Sequence, residues 1–194
     1  LDRGGAICIF PEGKSHDLPA LEKLKTGPAR IALGARASGA SVHVVPCGIF
    51  YADKGIFRSD ISIVFGDPIP VERHELDEEG EPPFDAARAL TTELREGLDE
   101  ILVQGESHDL LTLVGRATQL VRGAEHDRKH EADDDEGRVE RDRQLRQLIL
   151  EGHGHWKDRD PQRVHALAAR VEVLDELFAE HGMHASKARS HEGS

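Results

Sequence analysis

The residues with the most chemistry to offer sit where an apolar run breaks. Ile7-Cys8-Ile9-Phe10 stops abruptly at Pro11-Glu12-Gly13, and Lys14-Ser15-His16-Asp17 follow. A buried strand that ends in Pro-Glu-Gly presents a carboxylate at its carboxyl end, where open α/β sheets usually bind ligands. There Glu12 can accept hydrogen bonds from hydroxyl groups and orient one of them for attack. The plainer alternative is a carboxylate kept for its own turn. For His16 and Asp17 beside it, the choices are a turn in which Asp17 holds local backbone, or contact with a bound molecule.

Other polar spacings carry less. His-x4-Asp pairs occur at His130/Asp135, His153/Asp158 and His155/Asp160. All lie in a charged half of the chain and none follows a strand pattern. With 12 histidines and 37 acidic residues, chance matches are expected. No catalytic pair is therefore assigned within this sequence. His153-Gly154-His155 and His181 with His184 lack a complete ligand set, so solvated histidines and no metal site are expected. Cys8 and Cys47 both lie in apolar runs and are expected as buried thiols in a reducing compartment.

The elements that would position these residues follow from periodicity. Ala6–Phe10 reads as a buried strand, and residues 11–26 as a long connection with a polar start. Thr26 suits a helix N-cap, Pro28 the first turn, and Gly39 the C-terminal cap. Val42–Val45 is the next strand, ending at Pro46-Cys47-Gly48. Strand, helix and strand make a βαβ unit, so a parallel pair is expected. Ile61–Phe65 is a third strand, stopped by Gly66-Asp67-Pro68. Residues 72–83 form an acidic linker with a double proline. Helices are expected over Asp85–Gln104, with Leu90, Leu94, Leu98, Ile101 and Leu102 on one face, and over Asp109–Val121. A last pair covers Val139–Leu150 and Pro161–His181, the latter with a stripe of Val164, Leu167, Ala168, Val171, Leu174 and Phe178. Residues 125–136 are charge-dense and read as an exposed turn or a frayed stretch, and a disordered tail is expected from Gly182.

Composition narrows the class. Hydrophobic residues make up 38% and charged residues 32%, and no run approaches the roughly 20 apolar residues of a spanning helix. Residues 1–71 carry 8 Lys/Arg against 7 Asp/Glu; residues 72–194 carry 17 against 30. The first part can host an anionic ligand. The second is a poor partner for nucleic acid or an anionic membrane surface, because both need clustered cations. No signal peptide is visible, and the chain starts at Leu1 directly on a strand-like pattern, which reads as a fragment.

Five short blocks occur in order: Phe10-Pro11-Glu12-Gly13-Lys14-Ser15-His16-Asp17; Leu24-Lys25-Thr26-Gly27-Pro28-Ala29-Arg30-Ile31-Ala32; Val45-Pro46-Cys47-Gly48-Ile49; Phe57-Arg58-Ser59; and Phe65-Gly66-Asp67-Pro68-Ile69. Together they resemble the third and fourth sequence blocks of the PlsC-type glycerolipid acyltransferases. Ser15-His16-Asp17 and Phe57-Arg58-Ser59 are most similar to the glycerol-3-phosphate acyltransferase branch of the fungal Gat type. The resemblance covers about residues 4–71. It implies an α/β fold, with residues 1–71 the C-terminal part of a PlsC-like domain, 84–181 a helical appendage and 182–194 a tail.

The activity implied is transfer of a fatty acyl group from acyl-CoA to glycerol 3-phosphate, or to its 1-acyl derivative, in phospholipid synthesis. No cofactor is implied. The parent would work at the cytoplasmic side of a membrane, peripherally or anchored by segments outside these residues. The family's general base, in a His-x4-Asp block, and a phosphate-binding arginine both precede the third block, so neither is expected here and the chain alone should be inactive. The resemblance places Glu12, Gly13 and Ser15 at the acceptor site and Lys25 on its phosphate. It places Pro46, Cys47 and Gly48 along the site near the acyl donor, with Arg58 nearby. Lys14 departs from the Thr or Gly more common after this block. The chemistry agrees: a dianionic phosphate favours a cation beside a helix start, and Lys25 and Arg30 flank Thr26-Gly27-Pro28. Lys25 as an ordinary surface lysine, and Arg58 paired with Asp53 or Asp60, are the alternatives. A non-catalytic lipid-phosphate binding module is the alternative for the whole.

Overall fold

The computed structural model describes residues 4–51, 57–126 and 135–180. The chain divides into two compact units, residues 1–104 and 105–194. The boundary expected at the 72–83 linker thus lies before the observed one.

In the first unit, helix α1 spans Gly27–Ala37, with Thr26 at the N-cap position and Pro28 in the first turn. The Thr26 hydroxyl makes no capping bond. At the other end Gly39 takes φ 98°, its N–H meets the Arg36 carbonyl at 3.1 Å, and Ala40 N–H meets the Ala35 carbonyl at 3.2 Å. This is a Schellman ending, which the left-handed glycine makes possible.

Four short strands follow: β1 (His43–Val44), β2 (Cys47–Tyr51), β3 (Ile61–Phe65) and β4 (Ile69–Pro70). β1 pairs antiparallel with β4, and β2 antiparallel with β3 in the register Cys47 to Phe65, Ile49 to Ile63 and Tyr51 to Ile61. The expected parallel βαβ pair is not formed among the described residues. Two causes are visible. Residues 6–10 form no strand, and Ile7, Ile9 and Phe10 stay exposed. Pro46, which has no N–H to give a ladder, splits the run from Val42 to Ile49 into β1 and β2, each with its own partner. Cys8 and Cys47 are consequently exposed, not buried: one lies on the unpaired stretch, the other on the outward face of β2.

Helix α2, Phe84–Ile101, completes this unit. Its buried residues Ala87, Leu90, Leu94 and Leu98 are the stripe that the periodicity indicates. Ala87 and Leu90 meet Ala29, Ala32, Leu33 and Val71; Leu94 and Leu98 meet Leu24. Each buried leucine contributes about 1.5–3 kcal/mol relative to exposure. Glycines let α2 come close to the strands. An added Cβ at Gly97 would stand 2.7 Å from Pro46 Cγ, and one at Gly48 would stand 3.0 Å from Leu102 Cδ2.

The second unit holds α3 (His108–His126), α4 (Asp135–Trp156) and α5 (Pro161–Glu180). The Ser107 hydroxyl accepts Leu110 N–H at 3.1 Å, and an Asp160 carboxylate oxygen accepts Arg163 N–H at 3.0 Å, so both helix starts are capped. Val114, Thr118, Val139 and Arg143 are buried. Arg122 pairs with Asp142 at 2.8 Å and Arg116 with Asp175 at 3.2 Å, tying α3 to α4 and to α5. The α5 stripe is only half covered: Leu167, Leu174 and Phe178 are exposed. Residues 125–126 and 135–136 are helical, so the turn expected over 125–136 is absent at both margins; its middle, like the tail from Gly182, lies outside the described residues. No helix among the described residues is long and apolar enough to cross a membrane.

Candidate functional site

Phe10-Pro11-Glu12-Gly13 closes a tight turn. Gly13 N–H donates to the Phe10 carbonyl at 3.2 Å, and Gly13 takes φ 70°. Proline at the second position presets the turn, and glycine at its end accepts the left-handed backbone. Lys25 N–H donates to the Pro11 carbonyl at 2.8 Å, returning the chain onto this turn just before α1. The Lys25 stem then lies over Gly13, its Cγ 3.5 Å from where a Cβ would be. The backbone thus brings Glu12, Gly13 and Lys25 together, and they share this corner with the start of α1.

Glu12 is half-buried and well tied. One carboxylate oxygen accepts Glu22 N–H at 2.9 Å and also the His16 Nε2 hydrogen. Burial alone would push the Glu12 carboxyl up; the hydrogen bonds from His16 and Glu22 N–H, with the nearby imidazole and the charge of Arg95, outweigh it and hold the group below its ordinary value. Glu12 is a carboxylate at neutral pH, able to accept hydrogen bonds but with none to donate.

His16 holds local backbone in this turn: its Nδ1 accepts Leu18 N–H at 3.1 Å. Glu12, His16 and Glu22 bring one donor atom each to within 4.8 Å of one another, a three-donor set that could be read as a cation site. Their donors are committed within the protein. Leu18 N–H on Nδ1 keeps the imidazole proton on Nε2, facing Glu12, and the Lys14 ammonium pairs with Glu22. A metal on Nε2 would require moving that proton to Nδ1, against another N–H. Lys14 thus serves the loop's own carboxylate.

Lys25 is exposed and makes no ion pair among the described residues, whereas Arg30 is engaged with Glu81 of the acidic linker at 3.1 Å. Ser15 is exposed beside the turn. Pro46 is fully buried, with its carbonyl accepting Gly66 N–H at 2.9 Å. Gly48 is buried against Ile101 and Leu102. Both therefore pack β2 and its entry against α2, while Cys47 faces outward. Arg58 is exposed with φ 64°, a left-handed backbone rare for a side chain of its size, and makes no ion pair with the described residues; Asp53 lies outside them. His153 and His155 end α4, and Asp160 is spent on capping α5. The second half of the loop's support, Glu22, Arg95, Asp99 and Gln104, escapes sequence reasoning. The one visible signal is the i,i+4 pairing of Arg95 with Asp99, which reads as an ordinary surface pair.

Comparison with known proteins gives this corner a context. The chain is 34% identical over 118 residues to glycerol-3-phosphate O-acyltransferase 2 of Saccharomyces cerevisiae, which covers 60% of this chain and 16% of that protein. It is 35% identical over 124 residues to glycerol-3-phosphate O-acyltransferase 1 of the same yeast, covering 62% of the chain and 16% of the relative. An uncharacterised acyltransferase of Schizosaccharomyces pombe is 30% identical over 128 residues, covering 64% and 19%. No family profile matches, and no solved structure matches. The resemblance to glycerol-3-phosphate acyltransferases is therefore borne out over these stretches. It spans less than a fifth of the length of the curated relatives it matches. The matched stretches are longer than residues 4–71, so the likeness reaches beyond the five blocks.

Proposed function

We propose that residues 1–104 carry the acceptor side of an O-acyltransferase that moves a fatty acyl group from acyl-CoA to glycerol 3-phosphate. The observation that carries this reading is the placement of an ionised, hydrogen-bonded Glu12 beside Lys25, which makes no ion pair among the described residues, at the start of α1. Glu12 can accept hydrogen bonds from the glycerol hydroxyls and present one of them; Lys25 can neutralise the phosphate. The acceptor oxygen then attacks the thioester carbonyl carbon. The resulting tetrahedral intermediate collapses with release of the CoA thiolate, and no covalent enzyme intermediate forms. That step needs a general base for the hydroxyl proton. The resemblance implies a histidine base outside these residues, and without it this chain would bind the acceptor without turnover. Glycerol 3-phosphate is favoured over its 1-acyl derivative because Lys14, His16 and Asp17 make the loop after Glu12 polar. The parent enzyme would act at the cytoplasmic side of a membrane.

The test is titration of the chain with sn-glycerol 3-phosphate, followed by the backbone amide resonances of Glu12, Gly13 and Lys25. Saturable shifts centred on these residues, weakened in Lys25→Ala and Glu12→Gln, are the expected outcome. Shifts spread evenly over the surface, or unchanged by either substitution, would refute the site. Steady acyl transfer by the chain alone would refute the assignment of the base elsewhere.

A further inference from the structure

Glu12 sits on a connection with no regular structure, yet it is held in place. The groups that hold its loop lie on and just after α2, more than 70 residues along the chain from Leu21 and Glu22. On α2, Arg95 Nη1 donates to the Glu22 carbonyl at 2.7 Å and Nη2 to the Leu21 carbonyl at 3.3 Å. Arg95 Nε faces Asp99, 3.1 and 3.0 Å from its two oxygens. Gln104 completes the grip: its side-chain oxygen accepts Leu21 N–H at 2.7 Å and its amide nitrogen donates to Asp99 at 2.8 Å.

The Leu21 carbonyl and the Glu22 N–H belong to one peptide group. That group is planar and rigid, so fixing its oxygen also fixes the direction of its N–H. The oxygen is held by Arg95, and the N–H points at the Glu12 carboxylate. A cation on the carbonyl also polarises the amide and strengthens the bond its N–H donates. From these contacts we propose that Arg95, held by Asp99, is a positioning residue for Glu12, acting through the Leu21–Glu22 peptide. The inference rests on the reading of Glu12 as an acceptor contact. It adds that the orientation of this contact is set from α2, across the acidic linker. The ionisable groups facing Glu12 are His16 and Glu22 from its own loop, the latter paired with Lys14, and Arg95 from α2, paired with Asp99.

The test compares the whole chain with its Arg95→Met and Arg95→Lys variants, by two readouts. One is the carboxyl carbon resonance of Glu12 against pH. The other is the affinity for sn-glycerol 3-phosphate. With Arg95→Met the Glu12 midpoint should move up and the affinity fall about 3- to 10-fold, because one charge-assisted support is lost. Lysine keeps a charge but not the planar fork that reaches both carbonyls and Asp99, so Arg95→Lys should recover the Glu12 midpoint better than the affinity. If Arg95→Met does not fold, Arg95→Lys still makes the comparison. In a Glu12→Gln background, Arg95→Met should weaken binding no further. A variant that lowers the melting temperature but leaves both the Glu12 titration and the affinity unchanged would overturn the proposal. The two readings fail separately. If Glu12→Gln alone leaves the affinity intact, the acceptor role of Glu12 falls, while the Glu12 titration still decides whether Arg95 governs that carboxylate.

Discussion

Glu12, Gly13 and Lys25 illustrate how one four-residue turn and a returning segment can bring the groups of a candidate site together through backbone geometry. Gly13 has to accept a left-handed φ while the Lys25 stem crosses it. Gly13→Ala should therefore cost about 1–2 kcal/mol of stability, read from the denaturant midpoint. Lys25→Ala should leave that midpoint unchanged and weaken glycerol 3-phosphate binding about tenfold, the loss expected for a charge-assisted contact. Equal loss of binding and stability would make Lys25 structural. The Glu12 carboxyl is held below its ordinary value in the folded chain, so it contributes stability above the unfolded value of 4.5. That contribution should fade as pH falls through the lower folded value. Melting curves of the wild type and Glu12→Gln, compared from neutral to acidic pH, should differ at neutral pH and converge at the acid end. A gap that widens on acidification would reverse the sign.

Among the elements, α2 does more than its apolar stripe suggests. It covers the α1 core with Ala87 and Leu90, holds the 21–22 peptide through Arg95, and receives Pro46 against Gly97. A glycine inside a helix ordinarily costs about 1 kcal/mol relative to alanine. At Gly97 that cost is offset by the close approach of a rigid proline ring, so Gly97→Ala should destabilise the chain by about 1–3 kcal/mol through overpacking. Gly152, on α4, has no neighbour within 4 Å of an added Cβ, and Gly152→Ala should stabilise by up to about 1 kcal/mol. Thermal unfolding of the two variants should move in opposite directions. A rise for Gly97→Ala would mean that α2 and Pro46 are not in contact.

At the scale of the molecule, the first unit leaves apolar surface uncovered. The outward face of the β2–β3 pair carries Ile49, Tyr51, Ile61, Ile63 and Phe65, and Ile7 and Phe10 are exposed as well. An apolar face on a two-stranded sheet favours association. The purified chain should bind an apolar dye and self-associate with rising concentration, and Ile49→Thr with Ile63→Thr should reduce both without changing helical content. A monomer at all concentrations, with no dye binding, would show that this face is covered in solution.

The sequence by itself determined the local features of this protein. Apolar spacing of 3.6 located α2 and α3, and proline and glycine placed the ends of α1, because these signals act within one or two turns. The five blocks pointed to the acyltransferase relatives, and Pro11, Glu12 and Gly13 marked the turn on which the candidate site is built. Strand pairing was left to tertiary structure. An apolar run such as 6–10 or 42–49 does not say which partner it will find, and Pro46 divided one run between two antiparallel partners. The grip of Arg95 on the Leu21–Glu22 peptide was equally invisible. It joins residues more than 70 positions apart through backbone carbonyls, and every residue has one, so no side-chain pattern announces the contact.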